Sequence, residues 1–394
     1  MKDVFILSAA RTPIGAFQGS LSTVPAVGLG ARALGGAVER AGVEPEDIEQ
    51  VYMGSVLTAG QGQAPARQAA LGAGFPVTTG AVTVGKVCGS AMRAIMTAAN
   101  DLRCGDFSLV AAGGMESMSQ APYLAAGARD GLRLGHGRLI DSMIHDGLWD
   151  PYGDTHMGNC AELCAAKYEA SREAQDDYSR VSYERARQAT ESGASGQEIV
   201  AVAVPQRRGD PVEVDRDEEP FRSDLEKMSK LRPAFQKDGT VTAANASKIN
   251  DGAAALVLAT EEAAEARGAR PMARLVAQAS VAQEPEWFTT APVAAVGKVL
   301  DRAGLTAADI DLWEVNEAFA VVSMAFLHEL GLSHENVNVR GGAVALGHPI
   351  GCSGARIVVT LLHAMQERGA RRGCAAICIG GGESTALIVE RTET

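Results

Sequence analysis

Arg40-Ala41-Gly42 followed by Asp47-Ile48 recurs as Arg302-Ala303-Gly304 followed by Asp309-Ile310, 262 positions further along the chain. At both places an apolar helical pattern stops at a glycine, an acidic turn follows, and a short apolar strand comes next. Outward from the first copy, Val4–Ala9 reads as a buried strand, Val27–Ala41 as a helix and Val51–Val56 as a strand. A helix then opens near Cys88, and the strand Phe107–Ala112 follows. Outward from the second, the pattern predicts strand Ala273–Ala279, helix Ala294–Ala303, strand Leu312–Val315, helices Ala318–Leu330 and Ser353–Gln366, and strand Ala375–Ile379. Two further matches keep the same order. Cys88-Gly89-Ser90 corresponds to Cys352-Ser353-Gly354, and Gly113-Gly114-Met115-Glu116-Ser117 is echoed by Gly381-Gly382 with Glu383-Ser384. Matches in one order at nearly constant offset predict an internal duplication of two α/β halves, residues 1–118 and 251–394.

The segment between them, 119–250, differs in kind. It carries Gly/Asp turns, a polar helical stretch near Ser171–Glu191, and the run Arg207–Glu219 with charges of both signs. It reads as an inserted lid or loop domain, where substrate contacts are expected. The 394 residues include ample apolar material for a globular core, and the net charge of −12 disfavours nucleic acid as a partner. The seven cysteines are odd in number and lack paired metal-ligand spacing, so no metal site is expected. Val4–Ser8 is too short an apolar run for a signal peptide, and no stretch reaches membrane-spanning length. A reduced, cytoplasmic setting without membrane contact is the expectation.

Four places carry chemistry. Cys88 stands where small residues open a helix, and free N–H groups there are expected to lower a thiol's pKa; a small packing residue would read the same way. His348 sits in Gly347-His348-Pro349 among small residues that expose a ring to a ligand, as a base for a thiol requires. Cys378 ends an apolar strand before Gly380-Gly381-Gly382, whose backbone N–H groups suit an oxyanion, although a buried strand cysteine is also explained by packing. Asn316 follows strand 312–315, where an N-cap would equally account for it. Gly28-x-Gly30-x-x-Ala33 fits a loose dinucleotide fingerprint, but it lies inside a helical pattern, and helix packing explains its glycines better.

Together with Arg11-Thr12-Pro13, Gly113–Ser119 and Asn316-Glu317-Ala318-Phe319, these motifs resemble the thiolase superfamily almost end to end. The resemblance implies a thiolase-like five-layered αβαβα core of two duplicated halves with an inserted loop domain. It also implies a homodimer or homotetramer. His156-Met157-Gly158, Asp141–Leu148 and Arg232–Ser247 are similar to the loop domain of the short-chain, acetoacetyl-CoA-forming members. By that resemblance Cys88 is the acyl-carrying nucleophile, His348 its base, Cys378 the α-proton base and Asn316 the holder of a water. The N–H groups of Cys88 and Gly380 receive the oxyanion. Ser247 and His156 lie along the pantetheine arm, Leu148, Met157, Phe235, Phe288, Ala318 and Phe319 line the substrate pocket, and Arg222 faces the nucleotide end. Bulky Met157, Phe235, Trp287-Phe288 and Phe319 would keep the acyl pocket short. Acetyl-CoA, acyl-CoA and coenzyme A are substrate or product, and no cofactor is implied. The alternative within the family is a degradative 3-ketoacyl-CoA thiolase of broader chain length. Two departures stand out: Ala91 where many members carry glycine, and Glu383-Ser384 after the glycines.

Overall fold

Short runs of small and β-branched apolar residues alternate with helices capped by glycine, and the strands they form share one sheet. The computed structural model describes residues 2–392; Met1, Glu393 and Thr394, at the outer ends of the two expected halves, lie outside the described residues. In chain order the principal elements begin with β1 (Val4–Arg11), α1 (Ala26–Ala41), β2 (Gln50–Gly54), β3 (Gly80–Val84), α2 (Ser90–Cys104) and β4 (Leu109–Ser117). The inserted segment contributes α3 (Met157–Lys167) and α4 (Arg172–Glu191). There follow β5 (Asn250–Thr260), β6 (Ala273–Ala282), α5 (Ala291–Ala303), β7 (Leu312–Val315), α6 (Ala320–Leu330), α7 (Ser353–Arg368), β8 (Arg372–Ile379) and β9 (Glu383–Arg391).

The strand order is β7-β8-β9-β6-β1-β5-β4-β2-β3. Read outward from the β1/β6 seam, both directions give the same pattern. Two antiparallel pairings (β1–β5–β4 and β6–β9–β8) are followed by a parallel one (β4–β2 and β8–β7). The seam itself is narrow, with Phe5 opposite Arg274 and Ile6 opposite Ala273. Helices α2 and α7 lie in the middle, sharing one apolar core with strands of both halves. Helix α1 covers the outer face of the first half, and α5 with α6 covers that of the second. This is the αβαβα layering, and α7 bears its mark: Ser353 through Met365 are all buried, as a helix enclosed on every side requires.

The duplicated motif has a shared local structure. Gly42 and Gly304 both take φ 65°, ψ 32° as left-handed caps of α1 and α5, and each is followed by a 3-10 turn closed by a reciprocal capping box. Arg40 donates to the carbonyl of Ala9 in β1, and Arg302 to that of Gln278 in β6.

Two expectations need correction. The echo of Gly113-Gly114 in Gly381-Gly382 is not structural. The first pair lies inside paired β4, with Gly114 lacking room for a side chain against the Gly351 carbonyl, whereas the second is a turn at φ +90° and +81°. The strand Asn250–Thr260, assigned to the second half by a boundary at 251, is sandwiched between β1 and β4 and so completes the first half. Its opening Asn250-Asp251-Gly252 has the composition of a turn, yet Asp251 and Gly252 pair with Ser117 and Glu116. The Gly28/Gly30 motif lies within α1, where Gly30 packs against Met115 and Ala69.

The insert is pinned by a buried ion cluster. The Arg11 guanidinium, 1% exposed, reaches Glu198 at 2.8 Å and Asp217 at 2.7 Å. Removing one partner of such a cluster typically costs about 3–5 kcal/mol, because a buried charge is left unpaired.

Candidate active site

Lys86-Val87-Cys88-Gly89-Ser90 enters α2 through a 3-10 turn, Val87–Gly89. Val87 takes φ +44°, a costly conformation for a β-branched residue, so the surroundings must hold it. Ser90 Oγ accepts the Lys86 N–H at 2.8 Å and donates to the Val87 carbonyl at 2.7 Å. Gly89 lies against the Ile379 side chain, where no Cβ fits. Lys86 forms an ion pair with Glu383, tying this turn to the first residue of β9, which pairs with β8. The departure at Glu383 is therefore occupied by a tie between the two cysteine-bearing segments. Cys88 is thus presented to a cavity, and the backbone N–H groups of Gly380 and of Cys88 itself favour its thiolate. Loss of water outweighs them and pushes the thiol up to about 11, contrary to the lowering expected from a helix start.

Cys378 is fully buried one residue before the end of β8. Burial first, and the neighbouring Cys88 second, hold its thiol well above the ordinary range, against the N–H groups of Cys378 itself and of Ala318. The strand that carries Cys378 packs against the Val87–Gly89 turn that carries Cys88, and burial favours the thiol form of both.

His348 follows the four-residue helix Ala343–Leu346 and Gly347, whose φ of +104° turns the chain. Its backbone N–H donates to Asn250 Oδ1 at 3.1 Å and to the Lys248 carbonyl at 3.2 Å. Its Nδ1 lies 2.5 Å from Ser353 Oγ, and that hydroxyl donates to the Pro349 carbonyl at 2.9 Å. With its one proton committed, Ser353 Oγ acts as an acceptor, so the ring proton belongs on Nδ1. Nε2, buried and without a partner among the described residues, is left as a free base. Burial, followed by the charge of Arg356, lowers the imidazole to about 3, so it stays neutral at ordinary pH.

The Asn316 side chain is fully buried, and neither its oxygen nor its nitrogen has a partner among the described residues. An N-cap role is excluded, since α6 begins at Ala320 with Phe319 before it. Beside it, buried Glu317 accepts hydrogen bonds from Tyr178, Ser182, Asn338 and the Val344 N–H at 2.8–3.1 Å. This carboxylate joins the Asn316 loop to the loop domain and to the turn that carries His348.

Cys88, His348 and Gly380 line one narrow, mainly apolar cavity of about 230 Å³. Its walls include Leu148, His156, Met157, Phe235, Ser247, Phe288, Ala318 and Phe319. Leu148 ends a turn of π-helix, Met143–Leu148, a rare geometry that recurs at functional sites. His156 caps α3 by accepting the Gly158 N–H on Nδ1 at 3.1 Å, which leaves Nε2–H as a donor. Its ring stacks on Phe235 with centroids 4.7 Å apart, and burial keeps it neutral. Phe319 meets both Phe235 and Phe288 edge-on, and the Ser247 N–H donates to the Ala318 carbonyl at 2.9 Å.

Two expected residues lie elsewhere. Arg222 is outside the cavity and pairs with Glu218 at 2.8 Å on the surface. Trp287 packs beneath Lys167 rather than facing the cavity, because the 3-10 turn Pro285–Trp287 directs only Phe288 inward. The sequence reading did not single out Ser353, Lys248 or Val87. Glu317 stands beside Asn316 in the quoted Asn316-Glu317-Ala318-Phe319 motif, but its four donors come from distant segments and nothing local announces them.

Residues 4–262 match the thiolase N-terminal domain, and residues 269–391 the thiolase C-terminal domain. The chain is 51% identical to acetyl-CoA acetyltransferase 2 of Arabidopsis thaliana over 391 residues, covering 99% of this chain and 97% of that one. It is 50% identical to acetyl-CoA acetyltransferase of Cupriavidus necator over 392 residues, covering 99% and 100%. Among solved structures, the Bacillus anthracis acetyl-CoA acetyltransferase superposes with a TM-score of 0.97 at 42% identity, over 100% of this chain and 99% of that one. The Acat5 thiolase of Ascaris suum in complex with coenzyme A gives 0.94 at 44% identity, over 99% and 100%. In its sequence, its layered fold and its paired halves, this chain belongs to the thiolase family.

Proposed function

We propose that the protein is an acyltransferase that condenses two acetyl-CoA molecules reversibly to acetoacetyl-CoA and coenzyme A through an acyl-Cys88 intermediate. One observation carries this reading: the free Nε2 of His348 and the Cys88 thiol line a single cavity with Gly380, and β8, which bears Cys378, packs against the Val87–Gly89 turn that bears Cys88.

The protonation states order the steps. His348 Nε2 takes the Cys88 proton, and the thiolate attacks the acyl carbonyl while the Cys88 and Gly380 N–H groups receive the oxyanion. Coenzyme A leaves with the proton of Cys378, creating a His348 imidazolium and a Cys378 thiolate. Neither charge is stable alone in this dry site, but each stabilises the other. The Cys378 thiolate then removes a methyl proton from the second acetyl-CoA. His348 Nε2–H donates to the enolate oxygen, as does a water held by the unpartnered Asn316 amide. The enolate carbon attacks the acyl group, Cys88 leaves as thiolate, and His348 returns its proton. Both thiols and the neutral imidazole are thereby restored.

The loop domain, 119–250, supplies Leu148, His156, Met157, Phe235 and Ser247 to the cavity walls; on this reading His156 and Ser247 lie along the pantetheine arm, and Met157 and Phe235 along the acyl pocket and pantetheine tunnel. A homo-oligomer is supported by its exposed Tyr123, Leu134, Leu139 and Tyr152, of which Leu134 is 100% exposed. No described helix is long and apolar enough to cross a membrane, in keeping with a cytoplasmic enzyme. Incubation with radiolabelled acetyl-CoA, followed by digestion, should place the label on the Cys88 peptide. Label on the Cys378 peptide alone would refute the assignment.

A further inference from the structure

Lys248 is the one lysine among the cavity-lining residues, and the chemistry above makes no use of its charge. Its Nζ donates to the Val344 carbonyl at 2.8 Å and to the Tyr183 hydroxyl. The Tyr183 ring lies beneath the ammonium, its centroid 4.9 Å away, and the Glu219 carboxylate is within electrostatic reach. The backbone carbonyl of the same lysine accepts the His348 N–H at 3.2 Å. Lys248 therefore grips the segment Val344–His348 at both ends. That segment contains Gly347 at φ +104°, a residue with no side chain to restrain it, immediately before the imidazole. One ammonium thus joins three pieces of chain: α4 of the loop domain through Tyr183, the Ser247 segment that lines the cavity, and the turn that delivers His348.

We propose that Lys248 is a positioning residue, an internal cation that pins the Val344–His348 turn so that Nε2 meets the Cys88 thiol. This rests on the reading of His348 as the base for Cys88. Because the ammonium acts through His348, its loss should fall on kcat and on the acylation rate, and leave KM for coenzyme A nearly unchanged. Displacements on the scale of 1 Å cost up to about 10²-fold, so Lys248→Met is expected to lower kcat by at least about tenfold. Adding propylammonium to Lys248→Ala should restore several-fold of the lost acylation rate, whereas tetramethylammonium, with equal charge and no N–H donor, should restore none.

The experiment measures single-turnover acylation by acetyl-CoA and steady-state thiolysis of acetoacetyl-CoA for Lys248→Met, Lys248→Arg and Lys248→Ala, with thermal melting to follow the fold. The amine series on Lys248→Ala reads the proposal even where Lys248→Met folds poorly. A kcat within twofold of the parent for folded Lys248→Met, or a loss confined to KM, would overturn it. So would equal responses to the two ammonium ions. His348→Ala run alongside separates the two readings: if it acylates normally, the role of His348 fails whatever Lys248 does.

Discussion

Removing the Ser353 hydroxyl should disable the base without touching the cavity. In the resting protein Ser353 Oγ accepts from His348 Nδ1 at 2.5 Å, and the side chain is 1% exposed, so water does not substitute for it. When Nε2 takes the Cys88 proton the ring becomes a cation, and the same bond becomes charge-assisted. A hydrogen bond to a charged group contributes about 1.5–3 kcal/mol, and at about 1.4 kcal/mol per factor of ten Ser353→Ala should slow acylation by roughly 10- to 100-fold. The ring also loses the acceptor that keeps its proton on Nδ1, which adds to the loss. Because Ser353 does not line the cavity, KM for acetyl-CoA should stay within about twofold, the mark of an interaction formed only in the transition state. Rapid-quench measurement of acyl-enzyme formation, with melting curves to verify the fold, is the assay. A folded Ser353→Ala protein that acylates within twofold of the parent would refute both the tautomer and the role drawn from it.

Cys378→Ser keeps a hydroxyl that can give a proton to the leaving coenzyme A but cannot supply a thiolate base, so it should still acylate Cys88, at a reduced rate, while losing condensation and the exchange of acetyl-CoA methyl protons with solvent, measured by NMR in deuterium oxide; a loss of acylation as complete as the loss of exchange would remove the separate role of Cys378 as the α-proton base. His348 is held near 3 by burial, below its ordinary value of 6.5, so the base remains neutral as pH falls through 6.5. The acid limb of the acylation rate, followed by stopped flow, should accordingly lie nearer pH 3 than 6.5. Phe288, 2% exposed and edge-on to Phe319, lines the cavity; on the proposed reading, in which the acyl tail meets this side chain, the enzyme should cleave acetoacetyl-CoA much better than longer 3-ketoacyl-CoA. Phe288→Ala should narrow that gap at a stability cost of about 3–5 kcal/mol, and kcat/KM values that rise from four to eight carbons in the parent would overturn the short-chain reading.

What the sequence made legible was what repeats or what is local. The helix ends at Ala41 and Ala303 follow from glycine caps, and strand Leu312–Val315 from a short apolar run between turns; each is found where expected. Asn250–Thr260 and Glu383–Arg391 were missed because their polar openings resemble turns, and only pairing with distant strands decides otherwise. Cys88, His348 and Cys378 were visible as reactive types beside glycines. The acidities of these groups were not visible, because burial is a property of the assembled cavity. Ser353, Lys248 and Glu317 escaped for a related reason. Each acts by joining segments, and nothing in its immediate neighbours announces the partner.

The two halves meet along a seam only two residue pairs wide between β1 and β6, with α2 and α7 side by side behind it. The nucleophile starts the inner helix of one copy, whereas His348, Asn316, Cys378 and Gly380 all come from the other. Neither copy holds a working set, so the duplication has become a partnership in which each half is the other's missing reagent. A mutation far from the cavity that lets one half slip against the other would then register first as lost turnover, well before the protein unfolds. Activity in this architecture is a gauge of how firmly the two copies are docked.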